Sequence, residues 1–187
     1  MSFVKRNDEG FTGLEAAIVL IAFVVVAAVF SYVVLGAGFF TTQKAQETVY
    51  KGVEQSTANI QMIGNVYGIA SNTTAGINQV KFSIGLAPGA PSIDLTKMKI
   101  VFSTPDTTPV ILAQGTTANG TTFTTMLNGQ TAVLSMNAND QVEIAFNTSA
   151  AVAANTKMNI ELRPSVGAAL PFSKITPATI TTTNVLS

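Results

Sequence analysis

The 187-residue sequence contains no cysteine, no histidine and no tryptophan. Without Cys or His there is no thiolate nucleophile, no Ser-His-Asp relay, no zinc site of the usual N/S kind and no haem ligation through those side chains. Disulfides are excluded too, so a domain outside the cell must be held by packing alone. Charge is scarce. Ten basic and ten acidic side chains make up 11% of the chain, against roughly 25% in an ordinary soluble domain. The net charge is zero and the basic residues are scattered, which leaves no electrostatic footprint for a nucleic acid. These absences point away from an enzyme, a metal site or a cofactor.

The charge deficit is concentrated in one place. Residues 16–43 contain no Asp, Glu, Lys or Arg, and the most apolar part, 16–40, carries 15 Val, Ile, Leu or Phe residues. As a helix those 25 residues span about 37 Å, enough to cross a bilayer core of about 30 Å. Leaving the 15 in water would cost on the order of 20–45 kcal/mol as an upper bound. The segment therefore belongs in lipid or inside a protein bundle. A lone strand in lipid would leave its backbone unpaired, so helix is the required conformation. Lys5 and Arg6 precede the run and Lys44 is the first basic residue after it, which keeps the N-terminus cytoplasmic and sends the rest outward.

Beyond the apolar run, Val49, Val53, Ile60, Ile63 and Tyr67 recur at gaps of 4, 7, 3 and 4, one stripe on a 3.6-residue period. The spacing predicts a helical segment over 11–68, continuous from Thr12 to Ile63. A helix of that length cannot bury itself against a short partner in its own chain. Ala27 and Ser31 form a small-xxx-small pair, and Gly36 and Gly38 flatten the surface further along, as close helix packing requires. Gly36 and Gly38 are also places where a helix can bend.

Ahead of the grease the chain reads KRNDEG and then FTGLE. A secretory signal is cut after its apolar run and the run is lost. A cut between Gly10 and Phe11 would instead keep the apolar helix at the start of the mature chain, and Gly10 permits the close backbone approach a protease needs. The alternative is an uncleaved single-span anchor with a short cytoplasmic tail. Glu15 is either an acid favoured by the helix dipole or the partner of the new amine on Phe11, in its own or an adjacent subunit.

The stretches FTGLEAAIV (11–19) and SYVVLGAGFFTTQK (31–44), within residues 10–54, closely resemble the N-terminus of archaellins, the subunits of the archaeal swimming filament. The pattern of Gly, Phe and then Glu five residues in is shared with type IV pilins generally. The resemblance implies processing after Gly10 by a membrane aspartyl peptidase of the prepilin or preflagellin type. It implies inner packing of the N-terminal helices and β domains as the outer wall; Glu15, Ala27, Ser31, Gly36 and Gly38 are the residues expected, on the grounds above, at the assembly surface. The expected locations are the cell membrane for the precursor and an extracellular filament for the assembled homopolymer.

From about residue 69 the composition changes. Threonine supplies 20 of the residues from 70 to 187, and the turn dipeptides Pro88-Gly89, Asn119-Gly120 and Asn128-Gly129 recur. Alternation is strict over 80–86, 142–146 and 158–163, which predicts half-buried strands. Weaker strand candidates are 93–103, with a bulge near Lys97, and 110–114, 121–127, 131–136 and 178–186. Seven or eight short strands separated by turns read as an antiparallel, immunoglobulin-like β-sandwich over 69–187. Three N-x-S/T sequons begin at Asn72, Asn119 and Asn147. Frequent N-glycosylation of archaellins makes them candidates for modification. Asp140 and Glu143, near Asn137 and Asn139, could form part of a calcium site, but a polar hairpin explains them more simply. Asp94 and Asp106 have no motif that brings them together.

The sequence therefore predicts an α+β chain: a leader at 1–10, a core-forming helix over 11–68 and a surface sandwich over 69–187. Its expected role is structural, as an archaellin. The rivals are an adhesive type IV pilin-like subunit and, further off, a monomeric membrane-anchored surface protein.

Overall fold

The computed structural model describes residues 8–187, with side chains from Gly13 onward. The chain divides into two units, one up to Tyr50 and one from Lys51 to Ser187.

The first unit is helix. Helix α1 runs unbroken over Asp8–Thr57, 50 residues or about 75 Å of rise. It contains no proline, and threonines in its second half return their hydroxyls to the backbone. Thr41 Oγ1 donates to Ala37 O at 2.8 Å and Thr42 Oγ1 to Gly38 O at 2.9 Å. The helix ends sooner than its stripe of apolar residues predicts. Thr57 Oγ1 donates to Val53 O, Ala58 N donates to Glu54 O and Asn59 Nδ2 donates to Ser56 O, so the terminal carbonyls are satisfied locally.

Only two residues separate α1 from β1 (Ile60–Ile69). The helix expected to Ile63, and the boundary expected at 68/69, are thus corrected to Thr57 and 59/60. Ile60, Ile63 and Tyr67 fit a helical stripe by spacing, but β1 buries Ile60 and Val66 on one face at a period of two. Two extra residues enter β1 between Ile63 and Tyr67, where Gly64 takes φ +74°. A two-residue insertion preserves parity, so the same face stays inward on both sides of the bulge.

The remaining elements follow in order. Strand β2 is Ile77–Leu86, β3 Ile93–Asp94, then a 3-10 turn at Leu95–Lys97, β4 Lys99–Thr104 and β5 Thr107–Gln114. Then come β6 (Thr122–Leu127), the short β7 (Thr131–Ala132) and β8 (Ser135–Met136), and the long β9 (Gln141–Val152). Strands β10 (Lys157–Arg163), β11 (Leu170–Ile175) and β12 (Thr183–Leu186) complete the chain. The phase change expected as a bulge near Lys97 is a full break: Asp94 caps the 3-10 turn by accepting from Thr96 N.

Ten strands join in one hydrogen-bonded path, β11-β10-β4-β5-β6-β9-β2-β1-β12, with β7 beside β6. Pairing is antiparallel except between β5 and β6, which share two parallel pairs at Ala113–Gln114. In a flat sheet β2 and β11 would lie about 29 Å apart, six spacings of roughly 4.8 Å. Yet the rings of Phe82 on β2 and Phe172 on β11 meet edge to face at 5.4 Å, as do Phe102 on β4 and Phe146 on β9. The path has folded over on itself, which is the sandwich. Its two ends even touch, since Ile175 and Ser187 exchange backbone hydrogen bonds of 2.7 and 3.4 Å. Alternation supplies the shared core: Val142, Ile144 and Phe146 from β9 belong to the same cluster as Met158, Ile160 and Leu162 from β10, all fully or nearly fully buried.

Candidate functional site

The feature that needs explaining is α1. Every described side chain from Gly13 to Thr57 is exposed, including Phe23 at 76% and Tyr32 at 80%. The segment is long and apolar enough to cross a membrane by length and composition. A helix that is apolar all round is normally buried. Here the apolar surface has no cover among the described residues.

The residues expected on the assembly surface sit as follows. Ala27 lies in a notch lined by Val19, Ala22, Phe23, Val26 and Phe30. Ser31 and Gly38 line the next notch, between Phe30, Val34, Leu35, Phe39 and Thr42. The large side chains thus form knobs and the small ones the hollows between them. Apart from the helix's own backbone, a Cβ built at Gly36 or Gly38 meets nothing within 4 Å among the described residues, so no described neighbour requires glycine there. Glu15 is exposed and makes no ion pair among the described residues. From Ser31 and Gly38, Ala45 and Gly52 continue along the helix at strict seven-residue spacing. The leader 1–10 lies largely outside the described residues. Gly10 and Phe11 belong to α1 by backbone, and their side chains also lie outside the description.

The three sequons occupy different settings. Asn72 is exposed in the turn between β1 and β2, where its Oδ1 accepts from Thr74 N at 2.9 Å. Asn119 is exposed in the β5–β6 loop, and its Oδ1 accepts from Thr121 N, Thr121 Oγ1 and Thr122 N. Asn147 sits within β9 and is half-buried. Its Nδ2 donates to Ala118 O at 3.0 Å, while its Oδ1 accepts from Gln79 Nε2 at 3.1 Å. The nitrogen that would carry a glycan is already engaged there.

The acidic groups serve local structure. Asp140 Oδ2 accepts from Asn137 N and Nδ2, closing the turn before β9, and Glu143 pairs with Lys81 at 3.5 Å. Among the described residues no group of three or more His, Cys, Asp or Glu is placed to hold a metal. Thr96, through its hydroxyl and then its amide, holds the Asp94 carboxyl below its ordinary value, with Lys97 adding to the effect. The bidentate hydrogen bonds from Arg163 lower Glu161, and the same contact raises Arg163.

The family model for archaeal-type flagellin matches residues 10–174. The chain belongs to the archaeal-type flagellins. This archaeal-type flagellin is 56% identical over 105 residues to "Probable flagellin 1" of Archaeoglobus fulgidus, covering 56% of the chain and 51% of that relative. The match thus spans about half the length of that relative. Against "Probable flagellin 2" of the same organism it is 34% identical over 195 residues, covering 95% and 94%. Among solved structures it is similar to the archaeal flagellum of Methanospirillum hungatei, with a TM-score of 0.74, 33% identity and coverage of 94% and 99%. The long helix followed by a largely antiparallel β domain is the architecture of that protein too.

Proposed function

We infer that this archaeal-type flagellin is the structural subunit of an extracellular filament on the archaeal cell surface, built from many copies of the chain. The observation that carries the reading is α1, whose described side chains are exposed throughout while its surface is apolar. Identical copies supply the missing cover: knobs such as Phe23 and Phe30 fill hollows such as those at Ala27 and Gly38. The likeness to the M. hungatei flagellum supports the same assignment. The sandwich, which buries its own core, then forms the surface of the filament.

Before assembly the precursor sits in the cell membrane, with 16–40 in lipid, and a peptidase of the prepilin type cuts between Gly10 and Phe11. Moving the helix from lipid into a bundle exchanges lipid contacts for tighter helix packing. Glu15 is then placed to meet the new amine of Phe11 in its own or a neighbouring copy. Asn72 and Asn119 are the sequons suited to carry glycans, since both are exposed and neither commits its Nδ2 to a hydrogen bond; Asn147 is not. Shearing surface fibres and sequencing their N-terminus tests the reading. Fibres of this chain beginning at Phe11 are expected. Their absence would refute the filament, and fibres beginning at Met1 would refute the processing step alone.

A further inference from the structure

The contact that the filament reading does not use lies where α1 enters the sandwich. Ala58 is fully buried in the core, although only one residue separates it from β1. Its N–H donates to Glu54 O at 2.9 Å, and the carbonyl of the next residue, Asn59, accepts from Ala87 N at 3.0 Å. The loop between β10 and β11 closes over this point. Gly167 takes φ +98°, and a Cβ there would lie 1.6 Å from Ala58 O and 2.7 Å from Ala58 C. Two independent constraints, the left-handed backbone and the missing space, thus require glycine. Val166 packs against the core, and Ser165, Val166 and Gly167 form a cleft with Lys51, Glu54 and Gln55 from the last turns of α1.

We propose that the loop Pro164–Ala169 is a collar that locks the root of α1, Lys51–Thr57, to the sandwich. Ala58 is held by the core and by Gly167, and Asn59 by Ala87. A joint of this kind matters most in a subunit whose helix and β domain carry load together. The proposal rests on the filament reading for that purpose but not for its test.

The test is amide hydrogen exchange on the full chain in detergent micelles, readable whether or not filaments form. In the unaltered protein the amides of Ala58 and Ala87 should exchange as slowly as those of Val80 and Phe82 at the centre of β2. Exchange as fast as in the exposed turn 71–75 would overturn the collar. Gly167→Ala should speed exchange at Ala58 and Ala87 by tenfold or more, with Val80 and Phe82 changed less than twofold. Unchanged rates at Ala58 and Ala87 would overturn it. Should that variant fail to fold, Pro164→Gly with Ser165→Gly slackens the loop without placing an atom against Ala58. The same acceleration is expected, and its absence counts against the proposal equally.

Discussion

The helix and the sandwich solve the problem of apolar surface in opposite ways. The sandwich folds one path of strands over on itself until Phe82 meets Phe172 and Phe102 meets Phe146, and so covers its core with its own chain. The helix carries a comparable load of Val, Ile, Leu and Phe and covers none of it. One unit is covered within the molecule; the described surface of the other is not. Substitutions in the two should therefore fail in different assays.

The largest effect is expected from Ala27→Asp. A carboxylate at the middle of the apolar run costs about 2.5–3.5 kcal/mol for insertion alone and would also sit unpaired in a bundle. Recoverable fibres should be lost, while the thermal unfolding of the sandwich stays unchanged; a shifted transition would break the separation between the units. Phe146→Ala reverses the pattern. Removing this fully buried ring should lower the stability of the sandwich by about 3–5 kcal/mol in denaturant titrations, without affecting membrane insertion of α1.

A subtler test is Gly38→Leu. Apart from the helix's own backbone, no described atom lies within 4 Å of the added Cβ, so a loss in sedimentable fibre points to contacts between copies. A reduction of about tenfold, or roughly 1.4 kcal/mol per contact, is a reasonable scale. Fibre yield equal to the parent would remove Gly38 from the assembly surface. On the sandwich, intact-mass measurement of fibre protein should show glycan lost with Asn72→Gln and with Asn119→Gln, and no change with Asn147→Gln.

The smallest effect concerns acid. Asp94 is held below its ordinary value when folded, so its contribution to stability is complete above that value and fades as pH falls through the lowered one. Following the Asp94 carboxyl carbon by NMR should show the lowered titration, and Thr96→Ala should return it towards the ordinary range.

Legibility in the sequence followed the same division. The apolar run and the alternating strands at 80–86, 142–146 and 158–163 were readable, because each depends on a local pattern. What was missed depends on partners far along the chain. Strand β1 looked helical because Ile60, Ile63 and Tyr67 satisfy a 3.6-residue period as well as they satisfy pairing with β2, and only that pairing decides. Strand β11 was hidden by Pro171, which ordinarily argues against a strand but is tolerated near an edge. Side-chain settings were out of reach as well. Three sequons of the same pattern differ because Ala118 and Gln79 happen to reach Asn147.

Pro171 has a counterpart. On the side facing β6, strand β5 pairs only at Ala113 and Gln114, which leaves Thr107–Leu112 along an open edge, and Pro109 sits in that stretch. Both prolines stand where one sheet could recruit another. Unpaired strand edges invite cross-strand pairing with other chains, and proline in such a strand works against it because it brings no N–H to a ladder. In the proposed filament, β domains crowded side by side would then be hindered from zipping edge to edge.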